Sequence, residues 1–170
     1  MMISVDHVPL HESPHAAKRV LLDTMILCYA HDSLSPHNSR ASLIVRAAIH
    51  GHIRTQLSYQ NLSEFYAVVT GRRVTNPLTQ DHAARLCRLY MGCAEIGLIS
   101  PTRETYAEAF ASLGERRVAG GDVFDHILAY TAKDRADTIW TDNTRHFQGY
   151  PFLNAENPLD WEWEETPEQQ

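Results

Sequence analysis

Asp23, Glu64, Asp125 and the adjacent pair Asp142-Asn143 are oxygen-bearing side chains spread along most of the chain. Side chains of this type suit a hard divalent cation, because Mg²⁺ takes oxygen ligands, usually one or two carboxylates, and keeps waters that a substrate can displace. Clustered carboxylates without a cation repel one another, which raises a pKa or recruits an ion. Only tertiary folding can bring these positions together, so the elements that carry them decide whether the chemistry is available.

Arg19-Val20-Leu21-Leu22-Asp23-Thr24 is a short apolar run ending in an acid and reads as a buried strand of a parallel sheet. Open α/β sheets place ligands at such C-terminal strand ends. From Ser35-Pro36-His37, apolar residues at Ala41, Ile44, Val45, Ala48 and Ile49 recur at helical spacing until Gly51. A strand is expected over Ile53–Leu57, then a helix capped by Ser58 with Leu62, Phe65, Tyr66 and Val69 on one side and Glu64 within it. After a turn at Thr75–Thr79, a helix with Ala83, Leu86, Leu89 and Tyr90 leads to a short strand near Gly97–Pro101. A helix from Thr102 carries Tyr106, Ala109, Phe110 and Leu113, and the next, Asp122–Lys133, is expected to bury Phe124, Ile127, Leu128 and Thr131. Thr138–Thr141 and Phe152–Ala155 read as the last strands. Strand alternating with helix predicts an α/β fold of three layers, a central parallel sheet between helices. The expected organisation is an irregular arm over residues 1–18, one domain over 19–160 and an acidic tail over 161–170 that frays after about Trp163.

The residues around the acids resemble the PIN family, specifically the VapC toxins of bacterial toxin–antitoxin pairs. The resemblance lies in Leu21-Leu22-Asp23-Thr24, in Leu62-Ser63-Glu64-Phe65, in Phe124 through Ala132, and in Trp140-Thr141-Asp142-Asn143 followed by His146-Phe147. These stretches come in the family's order and span roughly Arg19 to Pro158. The resemblance implies a PIN-like fold, with Asp23, Glu64 and Asp125 as acids holding Mg²⁺ or Mn²⁺ and Thr24 and Thr141 as hydroxyls steadying the site. Either Asn143 or Asp142 takes the fourth position, and Asp122, one helical turn before Asp125, is a further candidate. The implied activity is metal-dependent hydrolysis of RNA phosphodiesters, with a basic rim of Arg72, Arg73, Arg116, Arg117 and Arg145, a small antitoxin as partner, and a homodimer through the middle helices. The number of ions, one or two, stays open. A competing reading is a PIN-like module that lacks activity and serves RNA binding or assembly. A phosphohydrolase nucleophile at Asp23 is disfavoured, since that chemistry wants a second acid two residues on and Met25 stands there.

Plainer roles compete at each position. Asp23 at a strand–helix junction can simply cap the helix, and Asp122 and Asp125 at a helix start are favoured by the dipole alone. Glu64 can belong to a solvated helix face, and Asn143 can be a turn residue. Ten histidines are scattered, with His7, His11 and His15 spaced at four near the start, a pattern better explained as surface than as a metal site. Trp140, Trp161 and Trp163 lack interleaved basic residues and read as packing groups rather than a base-stacking platform.

Composition narrows the classes. At 170 residues and 44% hydrophobic content the chain suits one well-cored domain. A net charge of −6 argues against coating nucleic acid by bulk attraction, though bound cations invert the local field of an acidic pocket. Cys28, Cys87 and Cys93 are odd in number and form no Cys-x-x-Cys pair, so neither a disulfide framework nor a zinc site is suggested, and a reducing cytoplasm fits. No apolar run approaches the roughly eighteen residues of a membrane helix, and no secretion signal is visible at the start.

Overall fold

The structure, a computed structural model, describes residues 2–72, 74 and 76–166. Arg73 of the expected basic rim, Thr75 of the expected turn and residues 167–170 of the expected tail lie outside the described residues. In chain order the elements are β1 (Met2–Val5), β2 (Val8–Pro9), β3 (Arg19–Leu22), α1 (Thr24–His31), α2 (Asn38–Ile49), β4 (Arg54–Ser58), α3 (Tyr59–Val69), α4 (Gln80–Gly92), β5 (Ile96–Ile99), α5 (Arg103–Arg116), α6 (Asp122–Ala132), β6 (Thr138–Trp140), β7 (Asn154–Glu156) and β8 (Trp163–Thr166).

Five strands pair in the order β5-β4-β3-β6-β7, and every pairing is parallel. Along β3 the side chains alternate between faces, as a strand requires. Val20 and Leu22 join the core cluster that also holds Ile26, Ile44, Leu57 and Phe65, whereas Leu21 joins the one built on Leu128, Ile139 and Leu153. Both faces of the sheet are therefore buried, with α1 to α4 supplying one apolar layer and α6 the other, which gives the three-layer α/β/α arrangement expected from the sequence. The central strand β3 lies between β4 and β6. Successive crossovers leave it in opposite directions, so the crevice beyond its C-terminal end is the natural ligand position.

Local chemistry explains the boundaries. Ser58 caps α3 through a hydroxyl that accepts from the Asn61 amide, while the Asn61 side chain accepts from the Ser58 amide, a reciprocal capping box. Thr102 and Thr105 repeat the device at α5. Gly51, at φ 71°, turns the chain out of α2 where a side chain would be strained.

Several expectations are corrected. Over residues 2–18 the expected irregular arm is replaced by ordered structure: β1 pairs antiparallel with both β2 and β8, burying Ile3, Val5 and Leu10. Nor does the tail fray after Trp163, because β8 continues to Thr166 and Glu165 pairs with Arg46. The two ends form a second, three-stranded sheet that closes over the α1–α4 side of the core. The segment after Asp23 is a helix, α1, that the spacing of apolar residues does not announce; Thr24, Ile26, Leu27 and Cys28 are all buried in it. Phe124 is 58% exposed rather than buried, and Tyr66, Leu89, Tyr106 and Phe110 are exposed as well. Their helices bury narrower stripes than a full apolar face predicts.

Candidate active site

Each acid is delivered by a different element. Asp23 follows β3 and caps α1, its Oδ1 accepting from the Thr24 amide at 2.7 Å. The plain capping role is therefore real, but it uses only one oxygen. Oδ2 accepts from the Thr141 hydroxyl at 2.6 Å, which ties the end of β3 to the end of β6. Thr141 is fully buried and also accepts from the Asn143 amide at 3.0 Å, so it fixes the acid and the following turn together.

Glu64 projects from α3. Its Oε2 accepts from the Thr24 hydroxyl at 2.8 Å and its Oε1 from the Gln60 amide at 2.8 Å. Thr24 itself accepts from Asn61 at 3.2 Å, so the buried cap of α3 is wired to the carboxylate through Ser58, Asn61 and Thr24. Gln60 also donates to the Phe124 carbonyl at 3.2 Å, joining α3 to α6 beside Asp125.

Asp125, in the first turn of α6, pairs with His146 Nδ1 at 2.6 Å. Asp142 accepts from the Tyr29 hydroxyl at 2.5 Å. Asp23, Glu64, Asp125, Asp142 and Asn143 all line one cavity of about 610 Å³ with Thr24, Met25, Val68, His146 and Phe147. Asp122 does not line it. That carboxylate lines a neighbouring cleft, yet Asp122, Asp125 and His146 each offer a ligand atom within 4.8 Å of the others. Asp23 and Glu64 stand outside that tighter group.

The electrostatics follow from the burial. Desolvation pushes the Asp23 carboxyl up to about 6; hydrogen bonds from Thr141 and Thr24 oppose the rise, and repulsion from Asp125 and Asp142 adds to it. Burial also raises Asp125, against the opposing hydrogen bond and charge of His146. Among the described residues, no lysine or arginine forms an ion pair with Asp23, Glu64, Asp125 or Asp142. Carboxylates crowded in one cavity without a lysine or arginine partner form a donor set that fits a hard divalent ion. His146 adds one nitrogen, a ligand that Mn²⁺ tolerates better than Mg²⁺ does.

Sequence reasoning did not single out His146, Tyr29, Gln60 or Asn61 as site residues. The pair His146-Phe147 follows Asn143 closely enough to be noticed, but nothing local links His146 to Asp125. His126, next to Asp125, turns away from the cavity and is 1% exposed. One ring nitrogen, Nε2, lies 2.9 Å from the Ala109 carbonyl, which can only accept, so Nε2 carries the proton. In its neutral form His126 then accepts at Nδ1 from the Tyr150 hydroxyl at 2.7 Å. This is a packing histidine that locks α6 onto α5.

No family model matches the chain, and no curated protein matches it. Solved structures do. VapBC2 from Rickettsia felis, solved bound to a DNA fragment from their promoter, matches at 19% identity and a TM-score of 0.57 over 85% of this chain and 99% of that one. VapC20 from Mycobacterium tuberculosis, described as a Sarcin-Ricin loop cleaving toxin, matches at 11% identity and a TM-score of 0.58, covering 75% of this chain and 92% of its own. FitAcB from Neisseria gonorrhoeae matches at 20% identity and a TM-score of 0.54 over 83% and 99%. The likeness establishes a shared PIN-like fold.

Proposed function

We propose that this chain is a metal-dependent ribonuclease that hydrolyses RNA phosphodiester bonds, the toxin of a toxin–antitoxin pair. One observation carries the reading: Asp23, Glu64 and Asp125, from three separate elements, line a single cavity at the C-terminal end of the central strand. A Mg²⁺ or Mn²⁺ ion bound among them would supply Lewis acidity, acidifying a water and offsetting charge that builds on the phosphate oxygens.

The chain's own residues do the rest. Thr24 and Thr141 hold the Glu64 and Asp23 carboxylates in fixed orientations, so little reorganisation is needed when a cation enters. Gln60 keeps Glu64 and α6 at a set distance. Asn143 and Asp142 line the cavity, where either can take the fourth ligand position directly or through a water. His146, already within 2.6 Å of Asp125, is placed to orient that carboxylate or to accept or donate a proton at Nδ1. Asp122 would extend the donor set toward the neighbouring cleft. The same reading makes RNA the substrate, a small antitoxin the partner that covers the cavity, and a second copy of the chain the dimer mate in the cytoplasm. Among the described residues no helix is long and apolar enough to cross a membrane.

The test is cleavage of single-stranded RNA by purified protein with Mg²⁺ or Mn²⁺. The wild type should cut, EDTA should stop it, and Asp23→Asn should lower the rate by at least about a hundredfold with the fold intact by circular dichroism. Undiminished cutting by Asp23→Asn would remove Asp23 from the mechanism. No cutting by a folded, metal-loaded wild type would leave the inactive RNA-binding or assembly module as the better reading.

A further inference from the structure

Beside the acidic cavity lies a second cleft of about 210 Å³, lined by Arg116, Arg117 and Arg145 together with Asp122, Gln148 and Tyr150. Asp125 and His146 line both spaces, so the two are adjacent. Three guanidinium charges against the carboxylates of Asp122 and Asp125 leave the cleft net positive, next to a cavity whose side chains are acidic.

These arginines differ from many of the chain's other cations. Lys18, Arg19, Arg46, Arg85 and Lys133 are each engaged with a carboxylate. Among the described residues no such ion pair involves Arg116, Arg117 or Arg145. Arg116 is nonetheless held in place: its guanidinium carbon sits 4.0 Å from the centre of the Tyr150 ring, and a terminal nitrogen donates to the Gly149 carbonyl at 2.8 Å. Tyr150 is fixed in turn by its hydroxyl bond to the buried His126. A planar guanidinium stacked on an immobilised ring has lost its rotamer freedom before any ligand arrives, which lowers the entropy cost of binding an oxyanion. Arg117 ends α5 at φ 55° and Arg145 lies in the turn that carries His146, so the charges come from separate segments that converge on one cleft.

We propose that this cleft binds a backbone phosphate of the RNA strand adjacent to the phosphate held in the acidic cavity, and so sets the direction in which the strand crosses the site. The inference rests on the ribonuclease reading for the position of the cut bond, but the cleft's affinity for a polyanion does not need a metal. Charge concentrated at one end of the site also explains how a chain of net charge −6 can hold RNA without a general basic surface.

The test is binding of a fluorescent single-stranded RNA oligonucleotide to the full chain in EDTA, followed by anisotropy over a range of salt concentrations. Arg117 and Arg145 are exposed, so Arg117→Gln/Arg145→Gln should fold normally. The double variant should bind about tenfold more weakly, and its slope of log affinity against log salt should fall by about 0.7, the one single-strand phosphate the cleft holds. Arg54→Gln, at the opposite end of the sheet, should leave both unchanged. With Mg²⁺ present, the double variant should raise KM while keeping kcat, the signature of lost substrate binding. Unaltered affinity and slope in the double variant, or an equal loss in Arg54→Gln, would overturn the proposal. Normal loss of binding without cleavage by any form would uphold the cleft and overturn the ribonuclease reading instead.

Discussion

The Asp23 carboxylate accepts two hydrogen bonds, yet burial still lifts its pKa to about 6. The folded protein therefore holds this proton more tightly than the unfolded chain, whose value is 3.8. Stability from that difference is fully present below pH about 4 and is lost as pH rises through about 6, amounting to about 3 kcal/mol at neutral pH in the absence of metal. Asn at this position carries no charge to bury, keeps one acceptor oxygen, and can donate to the Thr141 hydroxyl. In EDTA, the melting temperature of Asp23→Asn should thus exceed that of the wild type by roughly 5 °C at pH 7.5 and by little at pH 4.5. Added Mn²⁺ should raise the wild type and not the variant. Equal melting at both pH values would mean that Asp23 is well solvated. At this scale the positions of Asp23, Thr24, Asp125 and Thr141 were legible as strand ends or helix starts, whereas Glu64, in the middle of α3, was marked only by its neighbours Leu62, Ser63 and Phe65. Tyr29, Gln60 and His146 were not legible, since each has a partner far away in the chain: Asp142, Phe124 and Asp125.

Elements were read well where one face is apolar and a cap is present. Ser58 and Thr102 mark the starts of α3 and α5, and β3, β4, β5 and β6 appear close to their expected bounds. Helix α1 was missed because residues from Thr24 to Cys28 are mostly buried, which removes the polar face that periodicity needs. The strands β1 and β8 were missed for a related reason: each is four residues long, and pairing over more than 150 positions leaves no local trace. Trp163 anchors that clasp, 8% exposed, with its indole donating to the Pro158 carbonyl at 2.8 Å. Trp163→Ala should destabilise the protein by about 3–5 kcal/mol in urea unfolding while sparing the acidic cavity. A change below about 1 kcal/mol would mean that the clasp is only loosely attached.

At the scale of the molecule, a parallel sheet buried on both faces leaves few places for polar chemistry, and the crevice beyond β3 is where several elements end together. That placement follows from topology, which explains why strand–helix alternation sufficed to anticipate it while the closing sheet of the termini stayed hidden. The shared PIN-like fold with VapC20 and FitAcB, at 11% and 20% identity, is the same lesson from outside: the fold persists where most side chains have changed. The decisive question is whether the acids of the crevice grip one ion. Anomalous diffraction from crystals grown with Mn²⁺ would answer it directly. A peak inside the cavity, within ligand or water-bridged reach of Asp23, Glu64 and Asp125, is the expected result; well-ordered crystals with Mn²⁺ absent from that cavity, or bound only at a remote surface, would contradict it.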